Sequence, residues 1–418
     1  MKKLTLSLMA ITAISSSMQA DEMSEIKEQL KALTQKMNDI EAKNEASSNA
    51  LIEEVSALKT FNAVPELSNK SYTEMGYAAS KVYYSKSPLS IGGYGNIDYI
   101  NYTDQTGKDT SDLYRAIFFI GYKFTDNIIF NSEIEFEHVG ESKVEFAYLD
   151  FLVQNEINFR VGNVLVPIGH VGLQHEPTMF NAVNRPEVER YIIPSTWNEN
   201  GILAYGRYGN FDYTAGVITS LNAAKGSANK TWRDARQAGS KTLSEDFGFV
   251  GRLSYNALNS LKLTTSLFTG DSGQSQAGLD GVSQTIWEAH AVYKEGSVEL
   301  TALYAQATLD GENALAAFNP DNAISSEGSG YYVNAAYNIT EEWTPFIRYE
   351  KYNAEEDTTT FDSATSTLVK GSKADTKSTT VGLNYRPHPS VVLKADYVFY
   401  DNQGIDDDRL ELGMGYIF

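Results

Sequence analysis

Residues 128–139 read Ile128-Ile129-Phe130-Asn131-Ser132-Glu133-Ile134-Glu135-Phe136-Glu137-His138-Val139. Phe130, Ile134 and Phe136 fall on one parity, and Asn131, Glu133, Glu135 and Glu137 on the other. A period of two is the signature of a strand whose two faces meet different surroundings. A charged side chain facing lipid at the bilayer midplane costs up to about 4 kcal/mol, so if this strand crosses a membrane its carboxylates face inward, toward water.

The N-terminus argues that it does cross one. Lys2 and Lys3 precede an apolar run from Leu4 to Ile14, then Ser15–Ser17 and Met18-Gln19-Ala20. This is the pattern of a secretory leader, residues 1–20, cleaved after Ala20. The run is too short to span ~30 Å of hydrocarbon as a helix, and no later segment reaches ~18 apolar residues. A secreted chain without a spanning helix can enter the outer membrane only as a closed barrel, because lipid leaves no other way to satisfy the backbone.

Period-two runs recur from Leu89 onward. They cover Leu89–Thr103, Asp112–Phe124, Ile128–Val139, Lys143–Gln154 and Ile157–Val166, then Ile202–Tyr208, Phe211–Ser220, Phe247–Asn256, Leu261–Thr269 and Gln284–Lys294. Val298–Leu309, Tyr331–Ile339, Glu342–Tyr352, Ser378–Arg386, Val391–Tyr400 and Arg409–Phe418 complete the set. Tight turns such as Asn155-Glu156 and Gly209-Asn210 alternate with long polar connections such as Asp310–Gly330. The expected fold is an all-β transmembrane antiparallel β-barrel of about 16 strands, residues 89–418, preceded by a short α-helical coiled coil. An even strand number places both barrel ends on the short-turn side, and the last strand closes on Phe418.

The coiled coil is read from residues 21–60. Ile26, Leu30, Leu33, Met37 and Ile40 alternate by four and three, Asn44 and Ser47 interrupt the seam, and Leu51 and Leu58 resume it. Such a seam buries itself against copies of the same helix, and a homotrimer is the expected state. Residues 61–88 are read as a linker, within which Tyr72–Tyr84 is either a short helix or a segment tucked into the barrel mouth.

Composition limits the function. The 418 residues carry a net charge of -20, no cysteine, 26 Tyr and 19 Phe. Disulfides and thiol catalysis are excluded, and a nucleic-acid partner lacks the basic face it needs. Five His without a persuasive nucleophile–base arrangement argue against an enzyme. No cofactor is expected. His170 and His175, five apart, lack an obvious third ligand, so no metal is expected either. Glu355-Glu356-Asp357 and Asp406-Asp407-Asp408 are read as solvated loop charge rather than cation sites bridging lipopolysaccharide.

Parity assigns Arg115, Lys123, Glu133, Glu135, Arg160, Arg252, Arg348 and Glu350 to the lumen, with Lys394, Asp396, Arg409 and Glu411. These charges either pair with one another or set a transverse field. The connection Pro167–Gly201 is unlike the other loops, being rich in apolar residues including Phe180, Tyr191 and Trp197. A long apolar loop must pack on protein, and the lumen is the available place. His170, His175, Arg185, Glu187, Glu189 and Arg190 are then the candidate constriction.

Phe159-Arg160-Val161-Gly162, then Val166-Pro167-Ile168-Gly169, then a loop with Glu189-Arg190 and a return at Asn200-Gly201 resemble the phosphate-selective porin O/P family. Ser90-Ile91-Gly92-Gly93-Tyr94-Gly95 also resembles the first strand of bacterial porins. The resemblance runs from about Leu89 onward. It implies a trimeric outer-membrane barrel with an inward third loop, anion-selective channels with basic tracks, and relatives associated with siderophore uptake. Arg160 and Arg185 or Arg190 are the positions it carries over. This chain departs from it in its acidic charge and in lacking a dense basic ladder. The expected function is passive diffusion of small polar or charged solutes through a water-filled channel, with membrane lipid and lipopolysaccharide as neighbours. The alternatives are a channel selective for phosphate, a carboxylate or a siderophore, or a structural tether.

Overall fold

The computed structural model describes residues 20–60, 67, 70–103, 107–227, 230–402 and 405–418. Apart from Ala20, the expected leader lies outside them. The chain forms two units, residues 1–62 and 63–418.

In the first unit, α1 (Ala20–Thr60) is one helix of 41 residues. The side chains of Ile26, Leu30, Leu33, Met37 and Ile40 are 43–60% exposed, so the apolar seam has no cover among the described residues.

In the second unit, the wall begins with β1 (Leu89–Tyr102), β2 (Thr110–Thr125), β3 (Ile128–Glu137), β4 (Glu141–Gln154) and β5 (Ile157–Leu165). It continues with β6 (Asn198–Tyr208), β7 (Phe211–Thr219), β8 (Phe247–Leu258), β9 (Leu261–Asp271), β10 (Ser283–Glu295) and β11 (Val298–Asp310). The last group is β12 (Ile324–Tyr337), β13 (Trp343–Asp362), β14 (Thr367–Gly371), β15 (Thr376–His388), β16 (Val391–Asn402), β17 (Ile405–Asp406) and β18 (Arg409–Ile417). β14 and β17 are short pieces outside the wall, which leaves 16 antiparallel strands. β18 closes on β1, from Tyr94↔Ile417 to Tyr102↔Arg409, so the sheet has no free edge. No helix is long and apolar enough to cross a membrane among the described residues.

Faces follow parity. Phe118, Phe136, Phe249, Leu267, Ile347 and Leu412 are 38–49% exposed on the outside, a belt suited to lipid. Inside, Tyr94, Phe119, Phe146 and Tyr148 form a core with Ile168, Leu173, Ile192 and Trp197 of the third loop.

Three expectations are corrected. β6 begins at Asn198, because residues 198–201 pair with β5 (Asn200↔Asn163, Gly201↔Gly162), so the third loop, L3, is 166–197. β12 begins at Ile324 rather than Tyr331, and β13 runs on to Asp362, where its Thr358-Thr359-Thr360 stretch pairs with β14. β-branched residues favour that extension over a polar loop. Finally, residues 70–88 do more than link, since the stretch read as either a short helix or a tucked segment is largely packed on the inner wall. There Met75, Ala78 and Val82 are at most 2% exposed, and α2 (Lys81–Tyr84) forms a single turn.

Two bulges reset parity where it matters. Asn96↔Arg115 is followed by Asp98↔Asp112, so β2 carries an extra residue, and Tyr114 and Arg115 line the same cavity. Glu133↔Phe146 is followed by Ile134↔Val144, which leaves Glu145 as the extra residue on β4. A bulge re-aims a side chain that strict alternation would send outward.

Candidate functional site: the loop-lined lumen

A loop inside a barrel exposes backbone polar groups that strands would otherwise satisfy, and each needs a partner. The wall supplies them. Lys394 Nζ donates to the carbonyls of Phe180 and Ala182, both at 2.8 Å. Arg348 reaches the Asn184 carbonyl at 3.0 Å, Arg386 that of Thr178 at 3.0 Å, Arg115 that of His175 at 3.3 Å and Arg252 that of Gly169 at 2.8 Å. In the opposite sense, the Val183 N–H donates to Asp396 and the Glu187 N–H to Glu350, each at 2.7 Å. Arg115, Arg252, Arg348 and Glu350 do point inward, but they hold the loop rather than line open water. Lys123 also points inward and donates to the carbonyls of Tyr83 and Ser85 at 3.4 and 2.6 Å.

Inward charges also pair at short range. Asp150 and Arg160 are opposite across β4–β5 at 2.8 Å, Arg348 and Glu350 meet at 2.9 Å, and Arg409 and Glu411 at 2.6 Å. The last two pairs are i, i+2 on one strand face, so alternation itself brings them together. The segment at 70–88 joins this network. Glu74 pairs with Arg252 and Lys262, Tyr83 donates to Asp150 at 2.5 Å, and Asn131 donates to the Ala79 carbonyl at 2.9 Å. Burial opposes the Glu74 charge, but Arg252 and Lys262 hold its pKa well below the usual carboxylate range. A cavity of about 500 Å³ lies beside this segment, lined by Tyr72, Glu74, Tyr205, Arg252 and Lys262 among others.

The six expected constriction residues separate into two groups. His175 and Glu189 are 3% and 0% exposed and face the wall side of the loop, and His170 is partly buried with its ring 5.3 Å from that of His290. Burial, with the His290 charge added, pushes the His170 pKa well below the imidazole value. Burial pushes Glu189 up to about 7; it accepts from the Tyr332 hydroxyl at 2.7 Å and the Val171 N–H at 2.6 Å. For His175 burial opposes charge, yet Glu133 and Glu145 raise its pKa to about 10. Arg185 and Glu187 are partly exposed, and Arg190 is exposed. Glu187 heads α3 (Glu187–Tyr191).

The fourth long connection, expected at Leu221–Asp246 and spanning residues 220–246, carries cations that parity could not assign to a face. There α4 (Thr231–Asp234) buries Trp232 and turns Arg233 and Arg236 toward L3. Arg233 donates to the Ser195 carbonyl at 2.5 Å and to that of Arg190 at 3.4 Å, and Arg236 to those of Pro194, at 3.1 Å, and Thr196. Arg185 donates to the Thr196 hydroxyl at 2.7 Å. Arg115, Arg185, Arg190 and Arg233 line one cavity of about 30 Å³ with Asn96, Tyr114 and Asn184. Among the described residues, none of these four, nor Arg236, has a carboxylate within 4.0 Å, unlike the paired wall charges. Burial and then the charges of Arg236, Arg190 and Arg185 lower Arg233 to about 9, still charged at neutral pH.

A closed 16-strand barrel, apolar outside and narrowed by an inward loop, defines an outer-membrane channel for solute diffusion. The chain belongs to the Gram-negative porin family, whose model matches residues 155–405. It is 35% identical over 358 residues, 82% of each chain, to an uncharacterized protein of Aquifex aeolicus (strain VF5). Similar solved structures include a loop L8 deletion mutant of OmpT, an outer membrane protein of Vibrio cholerae (TM-score 0.54, 15% identity, 79% of this chain and 99% of that one). Others are the outer membrane channel DcaP of Acinetobacter baumannii (0.53, 14%, 79% and 97%) and an anion-selective porin from Comamonas acidovorans (0.53, 12%, 79% and 99%). At these identities the likeness is one of fold.

Proposed function

We propose that this outer-membrane porin passes small anions in preference to cations, and that L3 and the loop after β7 set the preference. The observation that carries the reading is the convergence of Arg115, Arg185, Arg190 and Arg233 on one cavity without a carboxylate partner. The acidic net charge does not oppose it. Carboxylates on the inner wall are largely matched by adjacent cations, whereas among the described residues Arg115, Arg185 and Arg233 donate to neutral oxygens and Arg190 lies over the Tyr191 ring. A phosphate or carboxylate group suits such donors in chemistry and geometry. The resemblance to the phosphate-selective porin O/P family agrees in the sign of selectivity. Reversal potentials across a planar bilayer under a potassium chloride gradient test the proposal. Chloride is expected to outrun potassium, and a cation preference would overturn it.

The exposed seam of α1 supports a second element, a helical stalk that assembles three copies. Its charged flanks and the Asn44 interruption suit a narrow self-pairing face rather than a broad docking face. A trimer form is recorded for the fold neighbour OmpT of Vibrio cholerae (TM-score 0.52, 14% identity, 79% of this chain and 99% of that one).

A further inference from the structure

We propose that Glu133, Glu145 and His175 form a binding site for a divalent cation of the zinc class, which fastens L3 to the barrel wall. His175 Nε2 lies 3.0 Å from Glu145 Oε2 and 3.3 Å from Glu133 Oε1. Its Nδ1 lies 3.0 Å from the Gly172 carbonyl, which can only accept, so Nδ1 carries a hydrogen. Nε2 therefore faces two carboxylates at once. A single proton there points along one direction and serves one carboxylate well. A metal ion between the three serves all of them.

The spacing fits. Tetrahedral bonds of ~2.0–2.2 Å separate ligand atoms by roughly 3.3–3.5 Å, and small outward movements of Glu145 reach that value. All three residues are buried, at 0%, 3% and 3% exposed. Glu133 Oε2 is buried with no hydrogen-bond partner, a vacant lone pair beside the cluster. Buried groups of this kind are costly unless a cation or a donor meets them.

The surroundings resemble a metal site's outer shell. The backbone carbonyl on Nδ1 fixes the imidazole tautomer, and the Tyr94 hydroxyl donates to Glu133 Oε1 at 3.0 Å while accepting from Arg115 at 3.1 Å. Charge points the same way. Lys143 serves Glu135 and Glu137 at 2.9 and 3.0 Å and is 3.9 Å from Glu145, and Arg115 makes no carboxylate contact within 4.0 Å among the described residues. One imidazole and two carboxylates suit a borderline divalent ion, with water as a fourth ligand. Strict parity hides the site, since Glu145 reaches it only through the β4 bulge.

The test uses the full-length protein in detergent, dialysed against chelator and titrated with Co²⁺ as an optical probe. One tetrahedral Co²⁺ per chain, displaced by Zn²⁺, is the expected result. Glu145→Gln and His175→Gln should each weaken binding by roughly tenfold or more. Glu341→Gln, in an exposed turn, should leave it unchanged. Should a variant misfold, the wild-type titration still decides. No bound Co²⁺ in a natively folded wild type, or binding equal in folded variants, overturns the proposal and leaves a proton as the bridging charge.

Discussion

Arg160 lies directly across the β4–β5 ladder from Asp150, and its Nε and Nη2 donate to the two carboxylate oxygens at 2.8 and 2.9 Å. The pair is buried, with 6% and 0% side-chain exposure, and the Tyr83 hydroxyl completes it from the segment before the barrel. Breaking a buried pair strands one charge, which costs about 3–5 kcal/mol in a dry interior and less beside a wet lumen. Arg160→Ala should therefore destabilise the barrel by about 2–3 kcal/mol. The double variant with Asp150→Ala should recover part of that loss. A urea unfolding series on folded barrels checks both.

If the unpaired arginines bias permeation, each acts on a passing ion across several ångströms of water. At ~8 Å in water with ~0.1 M salt one charge is worth about 0.2 kcal/mol to each ion in opposite senses, roughly a twofold change in the chloride-to-potassium ratio. Arg185→Gln and Arg190→Gln should each lower the chloride-to-potassium ratio about twofold. Reversing either to Glu should lower it about fivefold. Reversal potentials unchanged by all four variants would remove these residues from the selectivity filter.

Glu189 should make L3 sensitive to pH. Its pKa in the folded state, about 7, lies above the unfolded carboxylate value, so the native loop holds a proton that the unfolded one has released. Stability is greatest below the unfolded value, falls as pH rises toward about 7, and is flat above. Hydrogen-exchange protection factors of residues 170–193, rates taken relative to the unstructured chain, should fall between about pH 5 and 7. Glu189→Gln should flatten the profile.

Glycine at 415 admits the loop to the wall. A Cβ there would lie 2.6 Å from the Pro177 Cβ, too close for either atom to stay in place. Gly415→Val should push Pro177 inward and alter single-channel conductance while the barrel still folds. Gly296→Ala, in a tight turn with no neighbour within 4 Å, should leave conductance unchanged.

The native chain contains no cysteine, so one introduced thiol reports unambiguously on neighbours. Leu33→Cys on the exposed seam of α1 should give covalent dimers under mild oxidation of the full-length protein. Lys36→Cys, off that seam, should give far fewer. Equal yields would count against a coiled coil.

Strand number, closure and the direction in which Arg160, Arg252 and Glu350 point were legible from alternation, because a two-residue period follows from local backbone geometry. Alternation alone gives no place to the bulged Glu145, and the loop reading that made His175 and Glu189 constriction residues could not show that they are buried on the wall side of L3. The heptad spacing of Ile26 to Ile40 and the alternation of the barrel strands are likewise written locally, in runs of a few to a few dozen residues. What holds the loop is written across the whole chain: Lys394 meets the Phe180 carbonyl from 214 positions away, and Arg236 meets the Thr196 carbonyl from 40. Periodicity assigns a charge to a face. Only closure of the sheet brings distant faces together and decides which charges are neutralised and which remain to act on a solute.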